Sequence, residues 1–378
     1  MMRLEDACEL IVDCPHSTAR DEGKGFPLIR TPNIGRGRFL LENVHRVSES
    51  VYNKRNARAV PKDDDIILAR EAPAGNVAII KNGVKMCLGQ RTVLLRPNKE
   101  VVNPDFLTYF LLAPEQQYGL LGTANGATVA HVNIPTIRNL KIKLPPLKTQ
   151  ERIGKILSAY DDLIENNQRQ IKLLEEAAQR LYKEWFVNFR FPGYEDTPIV
   201  DGVPEGWADG TLGDIAVFKR GKTITKAQVS DGNIPVVAGG LEPAYYHNKA
   251  NTTAPLITVS ASGANAGFTR LYNIDVFASD CSYIDSNSTP FLLFVYCFLK
   301  TNAMKLNSLQ KGSAQPHVYA KDLNALVLSV PSEGVLTAFC GIVSPYFERI
   351  RLLQRENEIA AQARDRLLPK LMSGEIEV

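Results

Sequence analysis

The sequence has no Cys-x-x-Cys pair, no histidines at metal-ligand spacing and no apolar run of bilayer length. Its six cysteines (Cys8, Cys14, Cys87, Cys281, Cys297, Cys340) are scattered, which points to reduced thiols in a cytoplasm, buried as small hydrophobes. The five histidines (His16, His45, His131, His247, His317) predict no metal site. The most apolar run, "PFLLFVYCFLK", is about half the length of a membrane span. The start, "MMRLEDACEL", lacks the apolar stretch of a secretory signal. The expected location is cytoplasmic.

Catalytic signatures are missing as well. An adenine-N6 methyltransferase needs an acid or amide before Pro-Pro-aromatic, and the only Pro-Pro here lies in "KLPPLK". There is no G-x-x-x-x-G-K-[ST] loop for a motor. "PKDDDIILAREAP" has acids but no lysine suitably placed after Glu71 for a nuclease, and it reads as a charged loop before a strand. "TVSASGANAGF" is not a G-x-S-x-G elbow. No catalytic residue is assigned. The net charge of +3 excludes a polycationic DNA-coating protein. Residues 1–147 carry 20 basic and 15 acidic side chains and residues 193–332 carry 10 and 12, so any nucleic-acid contact must come from local patches.

What the chain does have is a long stretch without Gly or Pro, "SAYDDLIENNQRQIKLLEEAAQRLYKEWF". From Ile153 the positions Leu157, Tyr160, Ile164, Asn167, Ile171, Leu174, Ala178, Leu181 and Trp185 follow in steps of four and three, a heptad seam. Thr149 is the expected N-cap, and Pro192 with Gly193 the expected end. Adding 186 to each number finds a second seam: Phe339, Val343, Tyr346, Ile350, Leu353, Asn357, Ala360, Arg364, Leu367 and Leu371. In the same register His131-Val132 matches His317-Val318, and Pro145 matches Pro331. The chain therefore reads as a tandem duplication. The two rods are expected to pack antiparallel, with Asn167 and Asn357 as polar interruptions that either fix register or reach solvent.

The intervening segments read as mainly β with short helices. "DIILAR", "NVAII" and "RTVLLRP" are predicted strands, and "PDFLTYFLLAPE" and "TPFLLFVYCFLKT" predicted buried helices at matching places. The expected fold class is α+β: two mixed, mainly β domains separated by two long antiparallel coiled-coil helices in a pseudo-two-fold duplication. The expected divisions are 1–147, a central helix 148–192, 193–332, and a C-terminal helix and tail 333–378. Basic residues gather in Gly-containing loops, "GRGR" and "FKRGKTITK", which suit phosphates and guanine edges. Candidate DNA contacts are Arg36, Arg38, Lys54, Arg55 and Arg58 in the first domain. Those of the second are Lys219, Arg220, Lys222 and Lys226, with Lys311 and Ser313 in "QKGSAQPHV".

Taken together, "LPPLKTQERIGKILSAYDDLIENN", "RLYKEWFVNFRFPG", "VPEGW" followed by "LGDIAVFKRGKTI", and the tail "RLLPKLMSGEIEV" resemble the specificity subunit of type I DNA restriction-modification systems. The resemblance covers essentially the whole chain, although the first domain lacks the "PEGW" of the second. It implies two target-recognition domains, each reading half of a bipartite DNA target, with the helices as a ruler. It also implies no catalysis by the chain itself, which would dock two adenine methyltransferase subunits and restriction subunits. S-adenosylmethionine, ATP and Mg would then belong to those partners only. Because the two domains differ in their loops, an asymmetric target is expected. The alternative reading is a coiled-coil scaffold that binds other proteins.

Overall fold

The computed structural model describes residues 1–122, 131–310 and 316–378. It divides into two compact units, Met1–Asn167 with Arg355–Val378, and Gln168–Gln354. Each unit combines one mainly β domain with one half of each long helix. No helix among the described residues is long and apolar enough to cross a membrane.

In the first unit the strands Cys8–Asp13, Thr92–Pro97, Ile66–Ala69 and Val77–Ile79 form an antiparallel sheet in that order. Successive side chains of a strand point to opposite faces. Ile66 and Leu68 therefore pack with Phe106, Tyr109 and Phe110 of the helix Pro104–Leu112. Ile67 and Ala69 pack the other way, with Ile29, Met86 and Leu88 around a second sheet of His45–Val47, Phe26–Ile29 and Cys87–Leu88. Both faces are covered, so Ile66–Ala69 is buried throughout. The helix Pro104–Leu112 starts where Asn103 accepts a hydrogen bond from the Phe106 amide and Pro104 presets the first turn.

The second unit repeats this topology. Its four-stranded sheet runs Lys219–Arg220, Cys281–Asp285, Leu256–Ser260, Thr269–Tyr272, and its three-stranded sheet runs Tyr245–His247, Ile234–Val237, Phe277–Ala278. Each three-stranded sheet has one antiparallel and one parallel pairing. The short pair Met2–Arg3 with Lys141–Ile142 corresponds to Ala208–Thr211 with Val327–Val330. The duplication is thus present in the hydrogen bonds as well as in the residues.

The central helix spans Leu147–Phe186 and the C-terminal helix Glu333–Ser373. The C-terminal helix starts at residue 333 as expected, whereas the central helix differs at both ends from the sequence expectation. Thr149 lies inside the first turn and is not the cap, because the helix begins directly after Pro146, whose carbonyl accepts from the amides of Thr149 and Gln150. The buried Gln150 side chain ties that end down, accepting from the Asn103 amide and donating to the Pro145 carbonyl. The helix stops at Phe186, before Pro192, because Phe189 turns into a left-handed conformation (φ 56°) and Phe189 and Phe191 pack against Trp207. The C-terminal helix passes through Pro345 and Pro369, both exposed.

Within each unit the helix halves run antiparallel. In the first unit Ile153 and Leu157 share a core with Leu368 and Leu371, Asp161 pairs with Arg364, and Asn167 meets Glu356. In the second, Tyr182, Trp185 and Phe186 stack against Phe339. Every seam position, from Ile153 to Trp185 and from Phe339 to Leu371, is buried or half-buried. The polar interruptions do not simply reach solvent. Asn167 is 2% exposed and donates to Glu356 Oε2 at 2.8 Å, whereas the buried Oδ1 atom of Asn357 has no hydrogen-bond partner among the described residues.

Candidate nucleic-acid interface

The "GRGR" loop faces inward as much as outward. Gly37 adopts φ +99°, and a Cβ there would lie 2.6 Å from Asp161 Oδ2 and 3.3 Å from the Tyr109 ring. Only glycine permits that approach. Arg38 is half-buried and donates to Asp162 Oδ1 at 2.7 Å. Burial pulls its pKa down, but Tyr109, Asp162 and Asp161 outweigh this and leave it raised. Arg36 stays exposed, with Nη2 3.4 Å from the Leu112 carbonyl. Gly37 and Arg38 therefore seat the domain on the central helix.

Arg55 requires a correction. It was expected at the DNA surface, but it is 7% exposed and donates to the carbonyls of Leu88 (2.6 Å) and Ser17 (3.0 Å). It sits at the C-terminal turn of the helix Glu49–Arg55, a turn that places its guanidinium inside the fold. Lys54 and Arg58 are exposed, and Arg58 reaches the Asp13 carbonyl at 3.4 Å. The acids of "PKDDD" are structural: Asp65 pairs with Arg96, and Asp64 with Lys81 and Lys99. Burial would raise the Asp64 pKa, but the two lysines outweigh it and hold the carboxyl below its ordinary value.

In the second domain Lys219, Arg220, Lys222 and Lys226 are all exposed. Lys219 and Arg220 form an edge strand against Tyr283 and Ser282, and the Lys222 amide donates to the Ala278 carbonyl. Gly221 between them has no room for a side chain, since a Cβ would meet the Ser279 carbonyl at 2.3 Å. Lys311 and Ser313 lie outside the described residues.

The structure also brings together residues that sequence reasoning passed over. In the first domain a chain of polar contacts runs from Arg91 through Glu71 (2.7 Å), His131 (2.7 Å) and Arg70 (2.9 Å) to Asp13 (3.1 Å) and His16 (3.1 Å). Arg70 Nη2 donates to His131 Nε2 while Nδ1–H donates to Glu71, which selects one imidazole tautomer. In the second domain Ser262 donates to Asp280 Oδ2, and Arg220 Nη2 stands 3.8 Å from Asp280 Oδ1. The backbone of Ser262 pairs with that of His317, whose ring stacks on Tyr319. One signal could have located both groups, the matched His131-Val132 and His317-Val318.

A duplicated binding domain carried on paired helices is the class of protein this architecture defines. The chain belongs to the type I restriction modification DNA specificity domain family, whose model matches residues 1–176 and 204–359. It is 27% identical to the type I restriction enzyme MjaIX specificity subunit of Methanocaldococcus jannaschii, covering 90% of this chain and 84% of that one. It is 22% identical to the HindI specificity subunit of Haemophilus influenzae, over 92% and 94%. The crystal structure of the type I restriction-modification S subunit from M. genitalium shares the fold, with TM-score 0.56 at 17% identity over 98% of this chain and 95% of that one.

Proposed function

We propose that this chain is the sequence reader of a type I restriction-modification complex. Each domain reads one half of an asymmetric bipartite DNA target, and the helices set the gap between the halves. The chain catalyses nothing by itself. It docks adenine methyltransferase subunits, two in the expected assembly, and restriction subunits, and those partners carry S-adenosylmethionine, ATP and Mg. The observation that carries this reading is one domain topology built twice with different exposed side chains at matching positions. Such a pair suits two different half-sites. Partner docking is supported by large apolar side chains left exposed on the helices: Leu163 and Ile359 in the first unit, Leu173 and Leu352 in the second.

The test is genome-wide adenine methylation in a methylation-free host that expresses the chain with its methyltransferase subunit. The expected result is one two-part motif with a fixed gap, absent when the chain is omitted. No motif, with both proteins expressed and assembled, would shift the reading to a protein-binding scaffold.

A further inference from the structure

The backbone hydrogen bonds allow the two domains to be aligned position by position. Ala69 opposes Thr92 as Ser260 opposes Cys281. The Arg70 amide donates to the Arg91 carbonyl as Ala261 donates to Asp280. The Cys14 amide donates to Thr92 as Gly221 donates to Cys281, and Val132 donates to Arg70 as Val318 donates to Ala261. Asp13 thus occupies the place of Arg220, Arg91 that of Asp280, Glu71 that of Ser262, and His131 that of His317. The framework is shared, but the charges are exchanged. Where the first domain has an acid (Asp13) the second has a base (Arg220), and where the first has a base (Arg91) the second has an acid (Asp280).

We propose that these matched clusters are base-reading sites, with Arg91 reading a guanine in one half-site and Asp280 the exocyclic amine of a cytosine in the other. This inference rests on the DNA-reading function proposed above. In the first cluster the inner groups are covered (Arg70 side chain 11% exposed, Glu71 17%) and the outer one is open (Arg91 61%). The half-buried Glu71 holds the Arg91 guanidinium in place, so less side-chain freedom is lost on docking. A guanidinium held in this way presents two donors, the pattern that matches guanine O6 and N7.

The second cluster argues for bases over phosphates. Asp280 is partly exposed, 3.8 Å from the exposed Arg220, whose chain neighbours Lys219 and Lys222 are exposed too. A carboxylate there opposes phosphate contact, whereas it can accept from a base amine while Arg220 beside it attracts the backbone. Its Oδ2 is already engaged by Ser262, which orients the carboxylate.

The experiment uses the chain assembled with its methyltransferase subunit and a set of duplexes, each changed at one base pair of the wild-type motif. Arg91→Ala should lose discrimination, on the order of 10-fold or more, at one base pair of one half-site. Asp280→Asn should do so at one base pair of the other. The rest of the motif and the gap should stay unchanged, with assembly checked by co-purification and folding by thermal melting. Unchanged discrimination in both variants, or weakening spread evenly over all duplexes, would overturn the assignment. In either case an intact wild-type motif keeps the DNA-reading function standing, and only a wild-type complex without a motif removes both.

Discussion

At Asp161 a carboxylate 4% exposed accepts from the Tyr109 hydroxyl at 2.5 Å and from Arg364 Nη1, so one side chain joins a domain helix to both long helices of its unit. Burial pulls the Arg364 pKa down, but Asp161 and Asp365 outweigh it and keep the guanidinium firmly charged. Shifted by 186, the same three positions in the second unit are Val295, Phe347 and Ala178, all buried and apolar. The two units therefore seat their domains by different physics at one place. Removing one member of a buried ion pair strands the other charge, so Asp161→Ala should destabilise the chain by about 3 kcal/mol or more, read from its urea unfolding midpoint. Replacing Asp161 and Arg364 together by leucines should cost less than the single change, because no charge is stranded. A single variant within about 0.5 kcal/mol of the parent would remove Asp161 as the anchor, since changes of that size are typical of sites without a specific role. In the sequence Arg364 was visible as a seam residue, but Asp161 was not, because it lies one place off the heptad.

At the scale of elements, the heptad seams were legible from spacing alone, because burying one stripe of a long helix demands that period. Their ends were not, because they depend on distant residues: Gln150 reaching Asn103, and Trp207 drawing Phe189 and Phe191 off the helix. Large apolar side chains off the seam carry a separate message. Leu173 is 65% exposed and Ile359 53%, although each sits well inside a long helix. Leu173→Asp and Ile359→Asp, made separately, should leave melting within about 0.5 kcal/mol of the parent, as exposed substitutions do. Each should weaken co-purification with the methyltransferase subunit. Unchanged capture by both variants would exclude these side chains from the docking face.

For the whole molecule the proposed ruler makes the sharpest demand. Inserting one heptad into each long helix keeps the seam in phase and adds about 10 Å of helix. The gap in the methylated motif should grow by about three base pairs, at 3.4 Å per step along the duplex. A motif with both halves intact and the gap unchanged would rule out the ruler.

The duplication, the strands and the rods could be read from the chain because each is a local or periodic property: spacing, β-branched runs, a constant offset of 186. That offset fails upstream, where Asp13 corresponds to Arg220, because loops of different length slip the numbering while the strand pairing holds. Charge in a Gly-rich loop was legible, but its direction was not. Arg55 and Arg38 turn inward to carbonyls and a carboxylate, while Lys219 to Lys222 remain outside. Sequence by itself determined which elements form and that they form twice. Only the tertiary structure decided which charges face solvent, because a side chain's environment is set by residues that folding brings from elsewhere, as His131 gains Glu71 and Arg70 from sixty positions away.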